Sequence, residues 1–163
     1  MGCTVYDGSP SHPVTDMKLR CGTCGSKTEL TPRSMVEGGT CDTCKSPTAP
    51  LGEVLEVDPG TLQTIVAEVK VPIMIEFWAP WSEDCKAYPK LLAALAAKLA
   101  GKALVFTLDA EKYPDLALRF GVQRLPSVAV MKRGTLVFVQ YGVYQGAQLE
   151  AMLKQSMLTS AGG

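Results

Sequence analysis

Two Cys-x-x-Cys pairs, Cys21-Gly22-Thr23-Cys24 and Cys41-Asp42-Thr43-Cys44, stand sixteen residues apart in a segment that has little else to fold around. Residues 1–50 are rich in Gly, Ser, Thr and Pro and poor in large apolar side chains, so burial there cannot offset the entropy of ordering the chain. A metal can. Each pair forms a tight turn that presents two thiolates, and two such turns complete the tetrahedral four-sulfur shell that zinc requires. In small zinc-finger peptides such a site supplies apparent folding energy of ~10–16 kcal/mol. The spacing therefore predicts a zinc ribbon with one Zn²⁺ on Cys21, Cys24, Cys41 and Cys44. A filled four-cysteine shell leaves no open position, so this zinc is expected to be structural. Disulfides are the alternative. They fit an oxidising compartment, whereas Met1 to Asp16 is polar with no secretory pattern, and the chain reads as cytoplasmic. Gly25 follows the first pair and gives its turn backbone freedom, but Lys45 occupies the matching place in the second.

The 163 residues carry 16 Lys+Arg against 16 Asp+Glu, which removes the basic excess expected of a nucleic-acid or anionic-membrane binder. Over residues 1–50 Lys18, Arg20, Lys27, Arg33 and Lys45 are matched by Asp7, Asp16, Glu29, Glu37 and Asp42. No apolar run reaches the ~18 residues of a membrane span. The expected partners are proteins, and the expected state is a monomer. Composition changes near the connector Ser46–Gly52, so the chain divides into a flexible tail (1–17), the ribbon (18–50) and an α/β unit (51–163).

In that unit the pattern predicts a strand at Val54–Val57, then a helix from Pro59 to Lys70 capped by Asp58. Val71 to Trp78 reads as a strand buried on both faces, Ser82 to Ala100 as a long helix, Ala103 to Leu108 as a strand and Pro114 to Phe120 as a short helix. Ser127–Met131 and Thr135–Tyr141 form a hairpin around Lys132-Arg133-Gly134, and an amphipathic helix over Gln145–Leu158 closes the chain. The order β-α-β-α-β-α-β-β-α implies an α/β fold with a mixed central sheet flanked by helices.

At the junction of the buried strand and the long helix stands Glu76-Phe77-Trp78-Ala79-Pro80-Trp81-Ser82-Glu83-Asp84-Cys85-Lys86. This segment resembles the active-site segment of thioredoxins, and Phe120-Gly121-Val122-Gln123-Arg124-Leu125-Pro126-Ser127 resembles their cis-proline loop. The resemblance covers residues 53–158 and, with the ribbon in front, extends to the zinc-containing bacterial thioredoxins. It implies a thioredoxin-like fold and protein-disulfide oxidoreductase chemistry. Disulfide-containing clients and a thioredoxin reductase or equivalent are the partners it implies. By the same resemblance Glu76 takes the buried carboxylate's place, Cys85 the resolving thiol's, and Leu125-Pro126 the cis peptide's. The resemblance also implies that Trp81, Leu125, Pro126 and Gly142 line a substrate groove.

The nucleophile's place belongs to Ser82. A serine hydroxyl titrates far above neutrality and needs a general base, yet the only histidine is His12, far off in the tail. Positions 82 and 85 therefore cannot cycle between dithiol and disulfide. Ser82 is either a natural divergence or an introduced replacement of cysteine, and several further departures favour divergence. Glu83-Asp84 replaces the usual Gly-Pro, Pro89 follows Cys85 by four residues instead of five, and Val105 stands where a lysine is expected beside the carboxylate. Ser82 is expected to cap the helix, and Pro89 to deprive the Cys85 carbonyl of its partner and kink the helix. Three functions stay open: an oxidoreductase altered or inactivated at Ser82, an atypical monothiol protein using Cys85, and a redox-inactive peptide-binding or holdase module. Cys3, in the tail, is incidental or a distant second thiol.

Overall fold

Six consecutive residues, Ile73–Trp78, are all buried and form a strand that is hydrogen-bonded along both edges. The computed structural model describes residues 17–158. In chain order the elements of the α/β unit begin with β5 (Leu55–Glu56), α2 (Pro59–Glu68) and β6 (Ile73–Trp78). A 3₁₀ segment (Glu83–Ala87) leads into α3 (Tyr88–Lys98), followed by β7 (Leu104–Asp109) and α4 (Pro114–Arg119). β8 (Ser127–Lys132), β9 (Thr135–Tyr141) and α5 (Gly146–Leu158) complete it. The sheet order is β5-β7-β6-β8-β9, with β5, β7 and β6 parallel and β8 and β9 antiparallel. This is the mixed α/β sheet expected from the sequence.

Alternation along the strands divides the core into two layers. Ile73, Ile75 and Phe77 face one side with Leu104, Phe106, Leu108 and Ala129, and pack against Leu62 and Ile65 of α2. Met74, Val105, Val128 and Val130 face the other, against Tyr88, Leu92 and Leu95 of α3 and Leu149 and Leu153 of α5. α2 starts as expected, the Asp58 carboxylate accepting the Thr61 N–H at 2.7 Å. Arg133 and Gly134 take positive φ (52° and 79°), the pairing that a two-residue hairpin turn requires. No described helix is long and apolar enough to cross a membrane.

One expectation is corrected. The long helix from Ser82 to Ala100 is two pieces, because Pro89 cannot donate to the Cys85 carbonyl. The backbone answers by tightening instead of kinking: Tyr88 N–H reaches the Cys85 carbonyl in the i→i+3 manner, and the α-helix starts afresh with proline in its first turn, where a missing N–H costs nothing.

The N-terminal part consists of two short hairpins, β1 (Lys18–Arg20) with β2 (Lys27–Glu29) and β3 (Gly39–Thr40) with β4 (Pro47–Thr48). Between them lies α1 (Pro32–Glu37), which sequence reading did not anticipate. Its signal is Thr31-Pro32-Arg33-Ser34: the Thr31 hydroxyl accepts the Ser34 N–H at 3.1 Å while the Ser34 hydroxyl accepts the Thr31 N–H at 2.9 Å, a reciprocal cap. Gly38 ends the helix at φ 79°, and a Cβ there would fall 2.3 Å from the Thr48 carbonyl oxygen, so only glycine fits. Met35 of α1 is fully buried and belongs with Leu30 and Leu51 to the same core cluster as Ile65 and Ile73.

Because α1 shares that core, Met35→Ala should lower the stability of the whole molecule by ~2–5 kcal/mol. Urea unfolding followed by tryptophan fluorescence checks this, since both tryptophans lie in the α/β unit. The expected result is one transition moved to lower urea. A fluorescence transition that stays in place would show that α1 contributes nothing to the sheet's stability.

Candidate functional site

The two cysteine pairs fold into matching turns. Gly25 N–H reaches the Cys21 carbonyl at 2.9 Å and Lys45 N–H the Cys41 carbonyl at 3.0 Å, while Cys21 and Cys41 donate to Ser26 and Ser46 carbonyls at 2.7 and 2.9 Å. Lys45 adopts φ 61°, so a non-glycine residue takes the left-handed conformation that Gly25 takes at 76°. The four sulfur atoms lie within 4.8 Å of one another. Cys21 to Cys44 and Cys24 to Cys41 are 3.7 Å apart, against roughly 3.8 Å for the edge of a tetrahedron with ~2.3 Å zinc–sulfur bonds. The Ser26 hydroxyl touches Cys24 Sγ at 2.9 Å and Cys41 Sγ at 3.4 Å, and Thr23 N–H donates to Cys21 Sγ at 3.4 Å. The Ser26 and Thr28 hydroxyls bring the Cys41 thiol down to about 5, which favours the thiolate. The donor set thus has the spacing and the outer hydrogen bonds of a four-thiolate metal site.

The second site is assembled at the C-terminal end of β6. Register puts its parts together: Phe77 pairs with Ser127 and Ser127 with Tyr141, so Pro126 and Gly142 lie side by side at the end of β6. The Leu125–Pro126 peptide is cis, and Gly142 N–H donates to the Pro126 carbonyl at 3.0 Å. The Ser127 hydroxyl closes this loop on the Arg124 carbonyl at 2.6 Å, and the Arg124 guanidinium lies over the Tyr141 ring. Trp81 is 67% exposed, the most open aromatic described near this end, with Tyr141 at 51% and Val143 at 45% beside the loop.

Ser82 and Cys85 are both buried, and Cys85 Sγ lies 2.8 Å from the Ser82 carbonyl oxygen and 3.5 Å from that of Ala79. Ser82 occupies the N-cap place, but its hydroxyl does not cap the segment, correcting the sequence expectation. A tight 3₁₀ turn follows it, and its N–H turns back to the Ala79 carbonyl at 3.1 Å. Glu83, one of the two acidic residues next along, pairs with Lys86 at 2.6 Å on the surface. Cys3 and His12 lie outside the described residues.

Glu76 is 1% exposed, on the sheet face covered by α3 and α5, and neither carboxylate oxygen has a hydrogen-bond partner among the described residues. Burial alone pushes its pKa up to about 8, so it is largely protonated at neutral pH. Its neighbour on β7 is Thr107, also fully buried, and not Val105, which pairs with Met74. No cation stands beside this carboxyl on either adjacent strand, since its β8 partner is Val128.

The buried tyrosine at the start of α3 was missed by sequence reading. The Tyr88 hydroxyl donates to the Gly142 carbonyl and accepts the Tyr144 N–H at 3.1 Å. A tyrosine inside an apolar helical stripe carries no signal of that kind in sequence alone.

A five-stranded mixed sheet with helices on both faces, a 3₁₀ turn after the central strand and a cis-proline loop beside it define a thioredoxin-like α/β protein. The comparisons agree. The sequence model of the Thioredoxin family matches residues 53–158, and the chain belongs to that family. It is 30% identical over 105 residues to a thioredoxin of Haemophilus influenzae, covering 64% of this chain and 98% of that one. It is 25% identical over 147 residues to thioredoxin C-3 of Corynebacterium nephridii, covering 90% of this chain and 99% of that one, a likeness that necessarily extends N-terminal of residue 53. Among solved structures, a mutant thioredoxin of Halobacterium salinarum superposes with a TM-score of 0.61 at 20% identity, covering 66% of this chain and 94% of that one.

The buried carboxyl fixes a pH dependence. Its folded pKa lies above the ordinary 4.5, so the folded state resists ionisation, and the stability it contributes is complete below about 4.5 and declines as pH rises towards about 8. Glu76→Gln should abolish that decline, leaving the variant more stable than wild type at pH 8–9 by up to a few kcal/mol, on the scale of about 1.4 kcal/mol per tenfold change in acidity. Urea midpoints of both proteins from pH 5 to 9 check it. Parallel curves would mean that Glu76 does not titrate abnormally.

Proposed function

We propose that this chain is a thioredoxin-type protein in which a structural zinc ribbon supports the sheet and the groove for client polypeptides is kept, while dithiol exchange between positions 82 and 85 is disabled. The observation that carries this reading is Ser82. It is buried at the nucleophile's place, with no histidine among the described residues, and Glu76, the buried carboxyl of β6, is held largely in its protonated form at neutral pH. Thioredoxins act on disulfide-containing proteins and are reduced by a thioredoxin reductase, and the family supplies these as the partner classes here. Attack on a disulfide sulfur needs a thiolate at the accessible position, and a hydroxyl does not supply one. The groove in this reading does not depend on that sulfur: it rests on the cis Leu125–Pro126 peptide, the Gly142 N–H bonded to the Pro126 carbonyl and the exposed Trp81.

Cys21, Cys24, Cys41 and Cys44 would hold one Zn²⁺, whose bonds to four thiolates close the ribbon and leave no coordination site for substrate. These residues fit it by sulfur spacing and by the hydroxyl and amide groups around them. A four-thiolate shell needs its cysteines reduced, so this reading places the chain in a reducing compartment such as the cytoplasm.

Two measurements test the reading. In insulin reduction, Ser82→Cys should gain at least about tenfold over the wild-type chain, because a thiol is restored at the helix entrance. Equal rates in the two proteins would overturn the assignment of Ser82. Elemental analysis should find one zinc per chain, and Cys41→Ser should lose it and unfold at lower temperature. A metal-free wild-type protein with unchanged melting would remove the ribbon's zinc from the account.

A further inference from the structure

The segment between Cys85 and Pro89 is one residue shorter than the family pattern, and the residue this brings to the start of α3 is Tyr88. In a 3₁₀ turn residues three apart eclipse one another, so Tyr88 lies directly beyond Cys85 on the same side. Its side chain is fully buried, yet its hydroxyl has both a donor and an acceptor role filled, by the Gly142 carbonyl and the Tyr144 N–H. The stretch from Gly142 to Gln145 belongs to no helix or strand, so its backbone groups have no ladder to satisfy them. One phenol serves two of them.

These bonds form a continuous path through the groove. The Cys85 carbonyl accepts from Tyr88 N–H, the Tyr88 hydroxyl donates to the Gly142 carbonyl, and Gly142 N–H donates to the carbonyl of cis Pro126. The Tyr144 hydroxyl then closes the loop on the Tyr141 carbonyl at 2.9 Å. We infer that Tyr88 is the positioning residue of the groove, fixing the Gly142 rim against the Pro126 loop so that an extended polypeptide meets a preformed edge. This rests on the groove reading above and deepens it. A preformed edge spares the binding step the entropy of ordering the loop. Burial pushes the Tyr88 phenol up to about 12, so the hydroxyl keeps its proton at every working pH.

The test uses Tyr88→Phe, which keeps the ring and removes both bonds. Leu92→Ala serves as the control: Leu92 is a fully buried α3 residue in the same layer, and its aliphatic side chain has no donor or acceptor to offer the loop's backbone groups. The probe is a fluorescent insulin B chain with its thiols S-methylated, so that binding is read without disulfide chemistry. Tyr88→Phe should weaken binding about fivefold, the loss of roughly one net hydrogen bond. It should also speed hydrogen exchange at the Tyr144 amide at least tenfold, leaving the amides of β6 unchanged. Leu92→Ala should lower the melting temperature at least as much and bind the probe as wild type does. If Tyr88→Phe binds with wild-type affinity, or if both variants lose affinity in proportion to their stability, Tyr88 is only a core residue and the inference fails. If the wild-type protein itself does not bind the probe, it is the groove reading that fails.

Discussion

β6 is hydrogen-bonded to β7 on one edge and β8 on the other, with every residue buried, and the rest of the molecule takes its coordinates from that strand. A one-residue slip would turn Met74, Glu76 and Trp78 to the opposite face and carry three apolar partners the wrong way, so the register is strongly held. Once it is held, Ser127 faces Phe77, Pro126 lies at the strand's end, and Gly142 follows beside it. The meeting of these loops is thus a by-product of strand pairing: residues from distant parts of the chain converge because the sheet leaves them no other place. The same strand imposes a cost. Its inward-facing Glu76 has no ion or hydrogen bond to compensate it among the described residues, and it is tolerated by keeping its proton.

The N-terminal part solves a different problem. Its hairpins are two or three residues long and cannot stand alone, and Thr28, Leu30 and Met35 are among the few side chains it buries. Two devices make up the deficit. Four sulfurs gather at metal-binding distances, and α1 lends Met35 to the core of the sheet. Neither suffices by chemistry alone, since the turns need left-handed residues at positions 25 and 45 and α1 must stop at a glycine.

Most of the α/β framework was legible because its signals are redundant. β6 is a long apolar run, α2 has an Asp cap with proline behind it, and β9 was bounded at Thr135 and Tyr141 as the structure has it. The cis-proline loop and the cysteine clusters were legible as motifs. Beyond α1 and the missing Ser82 cap, three further things were not. The break before α3 depends on how a carbonyl finds a donor when proline withholds one, which is decided by competing backbone geometries and not by residue type. The neighbour of Glu76 depends on strand register, which shifts a reading from Thr107 to Val105 with no change in sequence. Tyr88 depends on a loop fifty-four residues away whose backbone happens to need a donor and an acceptor at one point.

The attachment point of the ribbon sets a spatial limit on everything it can do. Val36 and Pro50 lie against Gly101, which stands before the first residue of β7, whereas Ser82 follows the last residue of β6. In parallel strands of six residues those two ends are about 20 Å apart. The place where α1 meets the sheet and the place where the Pro126 loop meets it are therefore opposite ends of the same strands. Whatever passes from that attachment to the Pro126 loop has to cross the length of the packed core between them.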